Sequence, residues 1–246
     1  NNAKKVQAAG YGGQIIGFGP NVSWWWMTMV WSFGGKLYDD SLNPAVNSKE
    51  AIAATDFLKK LMTVSPKGAS TANSDEVTSK FLGENIGAMI NYSGYYGSVL
   101  DPSINKNEGK IGTAPMPTGS ADITHLAGWN IGIPKDAKNP TAAWKFLEYV
   151  LGKTNAKAYL ESGAAAIGRK SITTDADLLA KFPYLAQLEI PASSRIERYP
   201  QIAVWPEFEV AAIDAVTQVL NGKSDSTKAM TALNEKLKPI LAKEPK

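Results

Sequence analysis

The stretch Trp24–Asp40, WWWMTMVWSFGGKLYDD, decides how this chain is read. Three consecutive tryptophans, with a fourth at Trp31, run toward the pair Gly34-Gly35, and a glycine just past the last apolar turn is where a helix stops. Successive residues on a helix point about 100° apart, so three indoles in a row cannot all face one core. At least one of the three is expected to line a cleft. Indole planes suit sugar rings, because a pyranose offers C–H groups on one face and hydroxyls at its rim.

Upstream, Ile15-Ile16-Gly17-Phe18 reads as a short strand. Downstream, a helix is expected to start at Asn47, with Glu50 completing a capping box and Ala53, Phe57, Leu58, Leu61 and Met62 on one face. A shorter helix around Val77, Phe81 and Leu82 stops at Gly83. Alternation at Ile86, Ala88 and Ile90 predicts a strand; further strands are expected over Lys110–Ala114 and Gly128–Ile133, broken by Pro115 and Pro134. Asn139-Pro140 opens a helix whose expected buried face is Ala143, Leu147, Val150 and Leu151, closed by Gly152. Thr154 is expected to cap the next helix, which Gly163 ends. Pro206 opens a helix with Phe208, Ala212, Ala215, Val216, Val219 and Leu220 at helical spacing. A final helix from about Ser226 carries Met230, Leu233, Leu237 and Leu241, with Pro239 expected to kink or end it. Helices and short strands alternate throughout, which is the pattern of an α/β protein.

Composition narrows the function. The chain has 246 residues, 44% of them hydrophobic, and a net charge of +3. That charge is small and no basic block stands out, so nucleic acid is not an expected partner. Only three of the 26 basic residues are arginines, a poor basis for a phosphate-reading surface. Without cysteine and with one histidine, His125, there is little material for a thiolate or histidine metal centre or for a Ser-His-Asp triad. No stretch is long and apolar enough to span a membrane. No phosphate-binding or dinucleotide-binding fingerprint occurs, Gly10-Tyr11-Gly12-Gly13 being too short, so no cofactor and no metal is expected. The opening Asn1-Asn2-Ala3-Lys4-Lys5 reads as the tail of a helix belonging to a longer protein.

Beyond the tryptophans, Tyr92 and Tyr95 (with Tyr96) follow a strand end beside Gly94, where ligands of α/β sheets usually sit. Alone, that cluster is more readily read as packing. Gly128 and Trp129 open a strand after a polar segment, and a lone tryptophan there is commonly core. Arg169 lies in a loop, where an arginine is most often solvated. Trp205 and Glu207 sit at a helix start, where a carboxylate is already favoured by the helix dipole. The carboxylate pairs Asp39/Asp40 and Glu207/Glu209 do not converge on one bond, since neither spacing places both on one helix face.

Taken in order, these segments resemble the family 1 extracellular solute-binding proteins, the group that includes maltose-binding protein. The likeness runs from Trp24–Asp40 through Asn43–Ser48, Phe81–Met89, Gly109–Gly112, Gly128–Asp136 and Asn139–Leu147 to Val219–Lys223. It implies a type II periplasmic-binding-protein fold: two α/β lobes around a hinge, closing on a solute held between them. It further implies that 1–125 and 175–246 form the second lobe and 126–174 a short return into the first, most of which lies in a segment this chain lacks. By the same resemblance Trp24 or Trp25, Tyr92 or Tyr95, Gly128, Trp129, Arg169, and the helix start Trp205–Glu209, with Trp205 and Glu207 singled out, line the substrate cleft.

The expected function is therefore delivery of a small solute (a sugar, oligosaccharide or polyol) to the permease subunits of an ABC importer, outside the cytoplasmic membrane in the periplasm or as a lipid-anchored extracellular protein. No catalytic residue is expected. A glycoside hydrolase with a similar aromatic site is one alternative, which turnover would reveal. A folded lobe without ligand activity is another, which ligand-dependent thermal stabilisation would oppose.

Overall fold

A computed structural model of the chain describes residues 2–10, 12–84, 86–100, 103, 105, 110–117, 119–163, 168–188 and 195–245. Of the stretches read above, Asn1, Tyr11, Asn85 and Gly109 lie outside the described residues. In chain order the elements are α1 (Asn2–Ala8), α2 (Val22–Ser32), α3 (Lys49–Met62), α4 (Ser74–Gly83), α5 (Tyr96–Leu100), β1 (Ile123–Leu126), α6 (Pro140–Leu151), α7 (Lys153–Glu161), α8 (Lys170–Thr173), α9 (Ala176–Lys181), β2 (Arg195–Arg198), α10 (Trp205–Leu220) and α11 (Ser226–Leu241). The architecture is mixed α/β and mostly helical. It divides into one unit of residues 1–91, 116–126 and 193–246 and a second of 92–115 and 127–192.

The first unit is built on α2, α3, α10 and α11, which pack on one another. The expected apolar faces of α10 and α11 are buried: Phe208, Ala212, Ala215, Val216, Val219 and Leu220 on one, Met230, Leu233, Leu237 and Leu241 on the other. Helix α2 buries nearly all its length, and Trp26, fully enclosed, donates its indole N–H to Thr55 Oγ1 of α3 at 2.9 Å. β1 and β2 pair in parallel, His125 opposite Glu197, and parallel strands need a long crossover, which here is the chain of the second unit.

Several local expectations are corrected. The helix after Gly34-Gly35 is capped by Ser48, not Asn47, through Ser48 Oγ and Ala51 N–H. The capping box instead sits at Asn73, with Glu76 reaching back to the Asn73 N–H. The buried face of α3 is Ala51, Ala54, Thr55 and Leu58, leaving Phe57 37% exposed. The segments at Ile15 and at Ile86–Ile90 meet through single parallel bridges, Gly12 with Ile86 and Ile15 with Met89, rather than as full strands. Residues 110–114 and 128–133 form no strand. Gly152, not Thr154, occupies the cap position of α7. Pro239 lies inside α11, which continues to Leu241, so the helix does not end at it.

In the second unit a small core gathers Ala156, Leu160, Ile172, Leu178, Tyr184 and Leu185, with Tyr96 stacked on Tyr184 at a centroid separation of 4.5 Å. Helix α6 departs from expectation most clearly. None of its residues is buried, and Trp144, Phe146, Tyr149 and Leu151 are all exposed.

Candidate functional site

The tryptophan run resolves as helical geometry requires. Trp25, Trp26 and Trp31 are buried, at 5%, 0% and 5% exposure, while Trp24 is only half-buried on the flank of α2. Its indole edge is anchored: Nε1 donates to Glu209 Oε1 at 3.0 Å, and Ser23 Oγ, fully buried, donates to the same oxygen at 2.9 Å. Glu209 reaches α2 because α10 packs against it. Tyr199, just after β2, meets Trp24 edge-on at 5.8 Å between ring centroids. Burial raises the Tyr199 phenol above its ordinary pKa, and the Glu209 carboxylate beside it pushes in the same direction.

Behind this lies an aromatic series. Tyr199 meets Trp205 edge-on at 5.0 Å, Trp205 stacks on Phe208 at 5.0 Å, and Phe208 meets Tyr38 at 6.3 Å. Such pairs favour edge-on or offset contacts, so the series is a rigid backing for Trp24 rather than a set of interchangeable greasy contacts. The start of α10, which carries Trp205, is held from the far end of the chain: Glu244 accepts from the backbone N–H groups of Ala203 and Val204, both at 3.0 Å.

His125 of β1 completes the surroundings of α2. Its Nδ1 lies 2.7 Å from Thr28 Oγ1, and the ring meets Trp31 edge-on at 5.1 Å. Thr28 also donates to the Trp24 carbonyl at 2.8 Å. A hydroxyl has one proton to give, so this pattern assigns the ring proton of His125 to Nδ1. Burial lowers its pKa to about 4, which keeps the ring neutral at neutral pH.

The sequence-derived candidates thus separate. Trp24 and Trp205 share the aromatic series, whereas Trp25 is enclosed in the core. Glu207 is exposed and pairs with Lys243 at 2.6 Å, directed away from the series. Tyr92, Tyr95, Gly128, Trp129 and Arg169 belong to the second unit. There Tyr92 and Tyr95 are half-buried, Gly128 is exposed, and Trp129 is 97% exposed. Arg169 donates to the carbonyl of Leu151 at 2.9 Å, closing the C-terminal end of α6, where a cation also suits the helix dipole. Tyr199, Ser23 and His125 were not among the sequence-derived candidates, and Glu209, inside the stretch Trp205–Glu209, was not singled out. A signal for Glu209 was present, since it stands four residues after Trp205 and so shares its helix face.

Among the described residues no group of three His, Cys, Asp or Glu side chains is placed to hold a metal ion, and no helix is long and apolar enough to cross a membrane. Residues 1–157 match the family of bacterial extracellular solute-binding proteins, and the chain belongs to that family.

Its fold is that of the type II periplasmic binding proteins. An ABC transporter solute-binding protein of Agrobacterium radiobacter K84, solved with ribitol, superposes with a TM-score of 0.85 at 26% identity, over 97% of this chain and 62% of that one. Maltose-bound MalE3 of T. maritima superposes with a TM-score of 0.88 at 24% identity, over 97% of this chain and 63% of that one. A probable amino-acid ABC transporter periplasmic-binding protein of Sinorhizobium fredii is 24% identical over 88% of this chain. The chain spans about half the length of the curated relatives it matches.

Proposed function

We propose that this chain is the ligand-bearing part of a solute-binding protein that takes up a neutral sugar or polyol, releases it unchanged and delivers it to the permease subunits of an ABC importer. The observation that carries the reading is the half-buried Trp24, fixed along its edge by Glu209 and Tyr199. A fixed aromatic plane costs little conformational entropy when a ring stacks on it. The acceptors around it suit hydroxyl groups. The ribitol complex of the Agrobacterium relative supports the same ligand class. A free amino acid would require a cation for its carboxylate, and the charged group beside Trp24 is a carboxylate.

In this reading 1–125 and 175–246 form the second lobe, and 126–174 return into the first. The exposure of Trp144, Phe146, Tyr149 and Leu151 on α6 supports a further layer of the parent protein lying over that helix. Tyr92, Tyr95, Gly128 and Trp129 are further ligand-contact candidates of the second unit, and Arg169 a basic one. The protein works outside the cytoplasmic membrane, as its family does, with a lipid anchor where the cell has a single membrane.

The test is a titration of the complete protein with pentitols, hexitols, mono- and disaccharides and free amino acids, read by calorimetry and tryptophan fluorescence. Binding of a polyol or sugar without turnover, weakened about tenfold or more by Trp24→Ala, is the expected result; a tenfold change is about 1.4 kcal/mol, within what a stacked ring contributes. Glycoside turnover, or binding confined to amino acids, overturns it.

A further inference from the structure

Resting on that reading, we propose that His125 is a positioning residue for ligand binding: through Thr28 it locks α2 to the strand pair β1–β2, and so holds the Trp24 indole in place against Tyr199. The link is short. His125 Nδ1 donates to Thr28 Oγ1 at 2.7 Å, and Thr28 donates in turn to the carbonyl of Trp24 at 2.8 Å. Tyr199, which meets the Trp24 ring edge-on, follows β2 directly, two residues past Glu197, and Glu197 stands opposite His125 in the strand pairing. The strand pair thus reaches Trp24 twice, at its backbone through His125 and at its ring through Tyr199. The segment leading into β1 is pinned to the same helix farther along: Ser32 Oγ accepts from the Gly119 N–H at 3.0 Å, and the Ser32 carbonyl from the Ala121 N–H at 3.0 Å.

Packing alone gives no reason for a histidine here. The ring lies edge-on to Trp31, and an aliphatic side chain would cover that surface as well. The imidazole also carries a cost: its Nε2 is buried and has no hydrogen-bond partner among the described residues. A buried polar atom left unmatched lowers stability. What the ring supplies in return is a directed bond to the residue one turn along α2 from Trp24. Such a bond fixes the register of packed elements, where apolar contacts alone allow sliding. A binding group has to be held within about 0.5 Å of its productive place, and supporting hydrogen bonds behind it do this.

The experiment measures binding of ribitol, mannitol and maltose to the complete protein by calorimetry, in the Trp24 and the Trp24→Ala backgrounds, with melting temperatures alongside. His125→Leu keeps apolar packing but breaks the link. For the tightest-binding probe it should weaken affinity about fivefold with Trp24 present and less than about twofold in Trp24→Ala, with the melting temperature within a few degrees of its parent. A merely structural residue would weaken both backgrounds alike. His125→Asn places an amide N–H near the position of Nδ1 and should recover most of the lost affinity. Thr28→Val breaks the link from its other end and should show the same dependence on Trp24; it carries the test should His125→Leu not fold. If wild type binds a probe and Trp24→Ala weakens it, but breaking the link changes nothing or costs the same in both backgrounds, this assignment alone is wrong. If wild type binds no probe, the reading of the site as a sugar or polyol site falls, and this assignment with it.

Discussion

Acidification is expected to weaken the unit of residues 1–91, 116–126 and 193–246 through one residue, His125. In the unfolded chain its imidazole titrates near 6.5, whereas burial in the folded protein lowers it to about 4. Between those values the unfolded state binds a proton that the folded state does not, so stability falls as pH falls. The penalty is absent above pH ~6.5, where both states are neutral, and is complete below pH ~4. A shift of this size is worth about 3 kcal/mol, of which about 2 to 3 kcal/mol is expressed by pH ~4.5. The packing around the ring explains why no local charge offsets this. Trp31 and Thr28 cover it from α2, and its partner across the strand pair, Glu197, is engaged with Arg195 at 2.7 Å. The assay is urea unfolding of wild type and His125→Gln at about pH 7.5 and about pH 4.5. Glutamine keeps an N–H for Thr28 but does not titrate, and carboxylates elsewhere cancel in the comparison. Wild type should lose about 2 kcal/mol more than the variant on acidification. Equal losses, within about 0.5 kcal/mol, would refute the assignment of a neutral, desolvated ring.

Other substitutions test the scaffold behind Trp24. Thr55→Val removes the acceptor of the fully buried Trp26 N–H, leaving an unsatisfied donor that costs about 1 to 3 kcal/mol in chemical denaturation; a cost below about 0.5 kcal/mol would mean the bond is dispensable. Glu244→Ala frees the backbone N–H groups of Ala203 and Val204 at the head of α10, so those two amides should exchange faster with solvent and stability should drop by about 1 kcal/mol. Gly97→Ala places a Cβ directly against the backbone carbonyl of Gly163, where neither side can yield as a side chain would. It should destabilise the second unit by about 2 kcal/mol or more, read as a lower melting temperature of the signal from its Tyr96–Tyr184 stack.

How far the sequence could be read followed from which physical signals are local. The faces of α10 and α11 were legible because a period of 3.6 residues survives in any environment, and their apolar positions are buried as the spacing predicts. The same period misled at α6. Spacing establishes that Ala143, Leu147, Val150 and Leu151 share a face, but not how fully it is covered: the first three are only half-buried and Leu151 is exposed. β1 was missed for a related reason: Ile-Thr-His-Leu is half polar, and what makes it a strand is a partner far along the chain. Strands are specified by neighbours more than by propensity.

The site divides along the same line. That one of three adjacent indoles must leave the core follows from helix geometry alone, and Trp24 is the one. Arg169 was legible as a charge but not as a helix-closing donor, because its partner, the carbonyl of Leu151, is a backbone group with no sequence signature. The choice between Glu207 and Glu209 is the instructive case. Two residues apart on a helix, they point about 200° from each other, so at most one can face α2. Glu207 stood out because it opens the helix, where a carboxylate is favoured by the dipole, yet that position is also the one Lys243 can reach from the end of α11. Glu209 follows Trp205 by four residues and lies on the face that α10 turns toward α2. Pairing of the exposed carboxylate with lysine and of the half-buried one with an indole and a serine is what gives the two glutamates different work: one secures the helix, and the other is left facing the stacking plane.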